Sequence, residues 1–103
     1  MKAIATYRIP DRRCEVEMRK GAQILEITSH NYHAYAVALI DDEQPMEKRR
    51  FAYFNTLEAL PAGDYYKPGA YEPGNPGTSF LYLGSTHDHI NSNYIFHVFE
   101  VIK

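Results

Sequence analysis

Tryptophan is absent from this sequence, and cysteine occurs once, at Cys14. A lone cysteine excludes an internal disulfide, so this is not one of the small frameworks held together by bridges. No run of eighteen apolar residues occurs, so no helical membrane span is expected. The opening residues Met1-Lys2-Ala3-Ile4-Ala5-Thr6-Tyr7 run straight into a strand pattern and carry no apolar signal core. An intracellular, unprocessed protein is the expectation. An excess of positive charge is missing too: 11 Lys and Arg stand against 13 Asp and Glu, a net charge of −2. Duplex-binding domains draw much of their affinity from a basic excess, so general nucleic-acid binding is not expected. Sustained 3.6-residue periodicity is lacking, and so are CxxC, HExxH and the phosphate-loop motif GxxxxGK[ST].

What the sequence does have is aromatic residues and alternation. Nine Tyr and five Phe occur among 103 residues, 45% of which are apolar. That excludes a disordered chain and favours half-buried pleated surfaces. One domain spans residues 1–103, close to the commonest domain size. Period-two stretches predict strands over residues 3–9, 14–18, 24–30, 35–40, 47–54, 80–84 and 94–102. The clearest is the second, where Cys14, Val16 and Met18 alternate with Glu15 and Glu17. The stretches 35–40 and 94–102 are apolar on both faces and are expected to be central strands. Leu57-Glu58-Ala59-Leu60 has room for one helical turn before Pro61. The fold class is all-β: a single small antiparallel sandwich or barrel of about seven strands.

One segment departs from this economy. The insert at about 56–78 carries four of the six prolines, four of the six glycines, and Tyr65, Tyr66 and Tyr71. Loops longer than about 12–15 residues without structure of their own are uncommon and often functional. If consecutive strands are antiparallel neighbours, the turn at Arg12-Arg13, the turn at His30–His33 and this loop share one end. The turns at Arg19-Lys20, Asp41–Glu43 and His87–His89 then share the other. The candidate partner-binding residues are therefore Tyr65, Tyr66, Tyr71, Tyr32, Arg12 and Arg13, since Tyr and Arg are enriched in binding hot spots.

Other features carry less chemistry. His87-Asp88-His89 has the spacing that sets two imidazoles on one side of a strand, which makes His87 and His89 the metal-site candidates, but no third ligand accompanies them. His97, between Phe96 and Val98, reads as a core histidine satisfied by one hydrogen bond. Cys14 reads as a packed small hydrophobe. Asp41-Asp42-Glu43 reads as a solvated acidic turn. Lys48-Arg49-Arg50 reads as the charged start of a strand that discourages edge pairing. No catalytic constellation and no cofactor are implied.

The stretches Met1-Lys2…Tyr7, Val16-Glu17-Met18-Arg19-Lys20-Gly21-Ala22-Gln23-Ile24-Leu25, Ala36-Val37-Ala38-Leu39-Ile40-Asp41, Tyr82-Leu83-Gly84-Ser85-Thr86 and Phe96-His97-Val98-Phe99-Glu100 resemble a family of short uncharacterised proteins from bacteriophages and prophages. The chain departs from that pattern at Arg19, where the family has proline, and over residues 55–79, where its insert is longer. The resemblance implies a phage accessory protein acting in the bacterial host cytoplasm and transfers no catalytic residue. Together these readings lead to a non-enzymatic protein that binds and inhibits a host or anti-phage-defence protein, as anti-CRISPR proteins do. One alternative is a sponge for a nucleotide signal, with Arg12, Arg13 or residues 48–50 holding phosphate and tyrosines stacking on a base. A second is a metal-dependent hydrolase built on His87 and His89. Two strands apolar on both faces require a further layer, from within the chain or from a second copy of it, and a homodimer is the expectation.

Overall fold

A computed structural model describes residues 1–31, 33–74, 76–87 and 95–102. Eight strands follow one another: β1 (Lys2–Ile9), β2 (Arg13–Arg19), β3 (Gln23–His30), β4 (His33–Asp41), β5 (Met46–Asn55), β6 (Asp64–Tyr66), β7 (Ser79–His87) and β8 (Ile95–Val101). No helix occurs among the described residues, and residues 55–58 make a β-turn where the sequence suggested a helical turn. The chain is all-β, as its alternation implies, and forms two sheets rather than a closed barrel.

The smaller sheet has the order β1-β4-β3 and the larger β2-β5-β8-β7-β6. Both strands expected to be central are central, β4 in one sheet and β8 in the other. The eighth strand is β6, a three-residue piece of the long insert that runs parallel to β7. The other ladders are antiparallel.

Between the sheets lies the main core of Ile9, Met18, Ala22, Ile27, Ala36, Ala38, Phe51 and Val98. Ala36 and Ala38 are fully buried, and their small side chains let the facing sheet approach closely. The close approach is plainest at Gly84, where an added Cβ would lie 3.3 Å from the Ile27 side chain. Gly84 follows a bulge that inserts Leu83 into β7, and a second bulge inserts Leu25 into β3.

An ion pair bridges the interior. Arg49 donates from Nε and Nη2 to the Glu100 carboxylate at 2.7 and 2.6 Å, and from Nη1 to the Ala22 carbonyl at 2.5 Å. Both side chains are nearly enclosed, at 17% and 13% exposed. The hydrogen bonds to Glu100 push the Arg49 guanidinium above its ordinary value. The basic run 48–50 is thus not an edge device: β5 lies between β2 and β8, and alternation sends Arg49 inward. The acidic turn is likewise engaged, with Asp42 lying 3.0 Å from the Met1 ammonium.

A second cluster lies on the opposite face of the larger sheet. It is built from Ala52, Phe54 and Phe80, with Tyr65, Phe99 and Val101 against them. The chain leaves β5 at Asn55, crosses this face and joins the sheet edge as β6. Gly63 is needed on that path, because a Cβ there would stand 2.8 Å from both the Phe80 ring and the Thr78 carbonyl.

Candidate binding rim

The insert leaves β5 through a turn in which the Glu58 N–H donates to the Asn55 carbonyl at 3.1 Å. Leu57 takes the third position with φ +68°. That is the φ pattern of a type II turn, whose third position normally carries glycine. A branched side chain in this left-handed region costs about 1–2 kcal/mol. Burial recovers none of that cost, because Leu57 is 100% exposed, and Leu60 beside it is 48% exposed.

The turn is braced on both sides. The Glu58 carboxylate accepts from the Asn55 backbone N–H at 3.0 Å and from the Arg12 guanidinium. The Asn55 N–H first, and Arg12 after it, hold the Glu58 carboxyl below its usual range. Thr56 Oγ1 lies 2.7 Å from His97 Nε2, and His97 Nδ1 lies 2.8 Å from Ser85 Oγ, which also meets the Tyr82 hydroxyl. A neutral imidazole donates from one nitrogen and accepts at the other, and hydroxyls take either role, so the chain of contacts is satisfied in both tautomers. Further along, the Tyr65 hydroxyl donates to the Pro61 carbonyl at 2.5 Å. Asn55 Oδ1 is buried at the root of the turn with no partner among the described residues.

Between this braced loop and the start of β2 lies an open cleft of about 540 Å³, lined by Asp11, Arg12, Arg13, Tyr53, Phe54, Glu58, Ala59, Leu60 and Pro61. A second groove of about 350 Å³ adjoins it, with Arg13, Glu15, Arg50 and Val101 among its walls. Pairing Arg13 with Ala52 and Glu15 with Arg50 sets Arg13 and Arg50 diagonally across one face. The two basic runs, 37 residues apart in the sequence, therefore meet there.

Arg12 and Arg13 are thus brought together with the root of the insert, as the sequence suggested. Tyr65 is half-buried, stacked on Phe80 at 4.6 Å between centroids and edge-on to Phe99 at 5.6 Å. Burial pushes its phenol up. Tyr66 and Tyr71 meet each other edge-to-face at 5.4 Å. Tyr32 lies outside the described residues, and so do Asp88 and His89. His87 is exposed at the end of β7. Among the described residues no three His, Cys, Asp or Glu side chains gather. Cys14 packs against the main core, and burial raises its thiol.

Two expectations are corrected. The end of β7 and the start of β8 lie at the Arg12 end, since Thr86 pairs with Phe96 and Phe96 with Asn55. The insert adds β6 parallel to β7, which upsets the strict up-and-down count. His97 is not a core residue: alternation from the fully buried Val98 turns it to the outer face, with both ring nitrogens engaged by hydroxyls. Sequence reasoning gave Leu57 and Leu60 no binding role and read 57–60 only as room for one helical turn.

A family model described as Domain of unknown function (DUF7352) matches residues 1–103. No curated protein and no solved structure matches the chain.

Proposed function

The chain belongs to the DUF7352 family, and from the geometry of its rim we propose that it is a non-enzymatic binding module that docks a protein partner with Leu57 as its knob. The observation that carries this reading is the conformation of Leu57. A side chain held wholly in water by a strained backbone contributes nothing to this chain's own stability. Such strain persists where surrounding structure enforces it, and it concentrates at functional positions. The bracing is present in Arg12–Glu58, Thr56–His97 and Tyr65–Pro61. Preorganisation of this kind lowers the entropy lost on docking. The partner would offer an apolar socket for Leu57 and Leu60 and an acidic lip for Arg13. Tyr65 seats the loop on the sheet, while Tyr66 and Tyr71 lie further along it. The resemblance to phage proteins makes a host or anti-phage-defence protein of the bacterial cytoplasm the proposed partner, inhibited by occupation of its socket.

The test is affinity capture from phage-infected bacterial lysate with the native chain and with Leu57→Gly. A protein held by the native chain and lost with the glycine variant supports the reading. The same captured set at equal yield overturns it.

The meeting of Arg13 and Arg50 favours a second reading, a sponge for a nucleotide whose phosphates bridge the two guanidinium groups. A nucleotide that binds only the folded chain raises its Tm, and Arg50→Ala removes that rise. No rise with any cyclic or linear nucleotide at saturation rejects it.

A further inference from the structure

The outer face of the three-stranded sheet carries apolar side chains that no other element covers among the described residues. Registers place Thr6-Val37-Glu26 in one cross-strand row, Ile4-Leu39-Gln23 in the next and Arg8-Tyr35-Thr28 on the other side. Ala36 and Ala38 are fully buried against the larger sheet, so Val37, Leu39 and Tyr35 point away from it. Ile4 is 60% exposed, and Leu25, the bulge residue at the edge, is 49% exposed. A sheet whose two faces are both apolar calls for a layer on each side. The larger sheet has both, the main core and the insert that crosses its outer face. Among the described residues the smaller sheet has one, the main core.

We infer that the missing layer is the same face of a second copy of this chain. Charge placement selects both the occupant and its orientation. Arg8 lies on edge strand β1 and Glu26 on edge strand β3, on opposite flanks of the apolar stripe. Neither joins an ion pair among the described residues. A two-fold axis parallel to β4 sets β1 of one copy over β3 of the other and stacks Val37 on Val37 and Leu39 on Leu39. Arg8 then lies two residues along from Glu26 of the other copy. With packed sheets about 10 Å apart and about 3.4 Å per residue, their Cα atoms are about 12 Å apart, within the combined reach of the two side chains. The pair forms twice by symmetry, as an isologous interface requires. The other in-plane axis, perpendicular to the strands, sets Glu26 against Glu26 and is disfavoured.

The face is small for an interface between proteins. Three strands about 4.8 Å apart and seven residues at about 3.4 Å give a flat footprint of about 340 Å² per copy. Standard interfaces bury about 800 Å² per partner, so a face of this size suits a weak, exchanging dimer and not an obligate one. The rim around Leu57 stays clear of it, because the rim lies on the larger sheet.

Sedimentation velocity of the full chain tests the inference over concentrations from about 1 to about 500 μM, wide enough to follow a weak, exchanging dimer. The weight-average mass should rise from one chain toward two. Val37→Glu should stay at one chain throughout with its Tm preserved. Arg8→Glu and Glu26→Arg should each weaken association about tenfold by opposing like charges, and the double exchange should restore it. Both residues are exposed, so these variants keep the test open even if Val37→Glu fails to fold. A single-chain mass at every concentration overturns the inference, and it would leave the face to a different protein. Failure of the double exchange to restore association overturns the proposed orientation with it. None of these readouts depends on the Leu57 partner.

Discussion

Leu57→Gly should make this protein more stable while removing its proposed contact. The native turn holds a leucine at φ +68°, at a cost of about 1–2 kcal/mol relative to an ordinary conformation. Glycine meets no such penalty but releases about 0.5–1 kcal/mol more backbone entropy on unfolding. The side chain is fully exposed, so its deletion forfeits no buried area. The balance is a gain of about 0.5–1 kcal/mol, which for a domain of this size raises Tm by about 2–6 °C. Differential scanning calorimetry of the purified chain measures it. Loss of a central leucine anchor costs at least about 2 kcal/mol at a hot spot, so affinity for the partner should fall about 30-fold or more in the same variant. A Tm that falls by several degrees would refute the reasoning, because it would mean that Leu57 packs against this chain. A higher Tm with unchanged affinity would leave the strain real and the knob idle.

Arg49→Met should cost about 3–5 kcal/mol in denaturant unfolding, because it leaves Glu100 enclosed without its counter-charge; adding Glu100→Leu should recover most of the loss, and a double variant no better than the single one counts against the pair as drawn. Tyr65→Ala should cost about 2–3 kcal/mol, less than full burial of a large aromatic ring implies because the ring is half-buried, and the near-native Tm expected of a purely partner-facing tyrosine would show that its stack on Phe80 is not formed. The Glu58 carboxyl should titrate below the ordinary glutamate value of 4.5, so the bracing of the turn is present above that value and is lost as pH falls through the folded-state midpoint. NMR titration of the Glu58 carboxyl alongside the Asn55 amide reads this, and a midpoint at or above 4.5 would break the link.

The strands were legible in the sequence because their faces differ. Cys14, Val16 and Met18 against Glu15 and Glu17 announce a strand with one wet face, and the two-faced apolar runs announce β4 and β8 as central. The basic run Lys48-Arg49-Arg50 read as one charged strand start, because only the position of Glu100 on the neighbouring strand shows that Arg49 turns inward. β6 was illegible for a physical reason. Three residues among prolines and glycines show no period, and a parallel partner is set by the path of the chain and not by a local turn. His97 misled because a second apolar layer on the outer face makes Phe99 and Val101 look like interior neighbours. At the rim, the sequence pointed to Arg12, Arg13 and the insert, and the tyrosines drew attention for their size. What marks Leu57 is a dihedral angle in a short turn bound back to Arg12, and neither the angle nor the Arg12–Glu58 pair can be read from residue types.

The chain deals its strands unevenly between the sheets: β1 to the smaller, β2 to the larger, β3 and β4 back to the smaller. Severing the Asp42–Pro45 connection would therefore leave the three-stranded ladder intact in the first fragment, yet carry β2 off with it. The second fragment would keep β5 with a bare edge where Arg13–Arg19 belongs. Each piece holds what the other lacks, so mixed halves should reassemble, scored by Met18 and Phe51 meeting again in one interior.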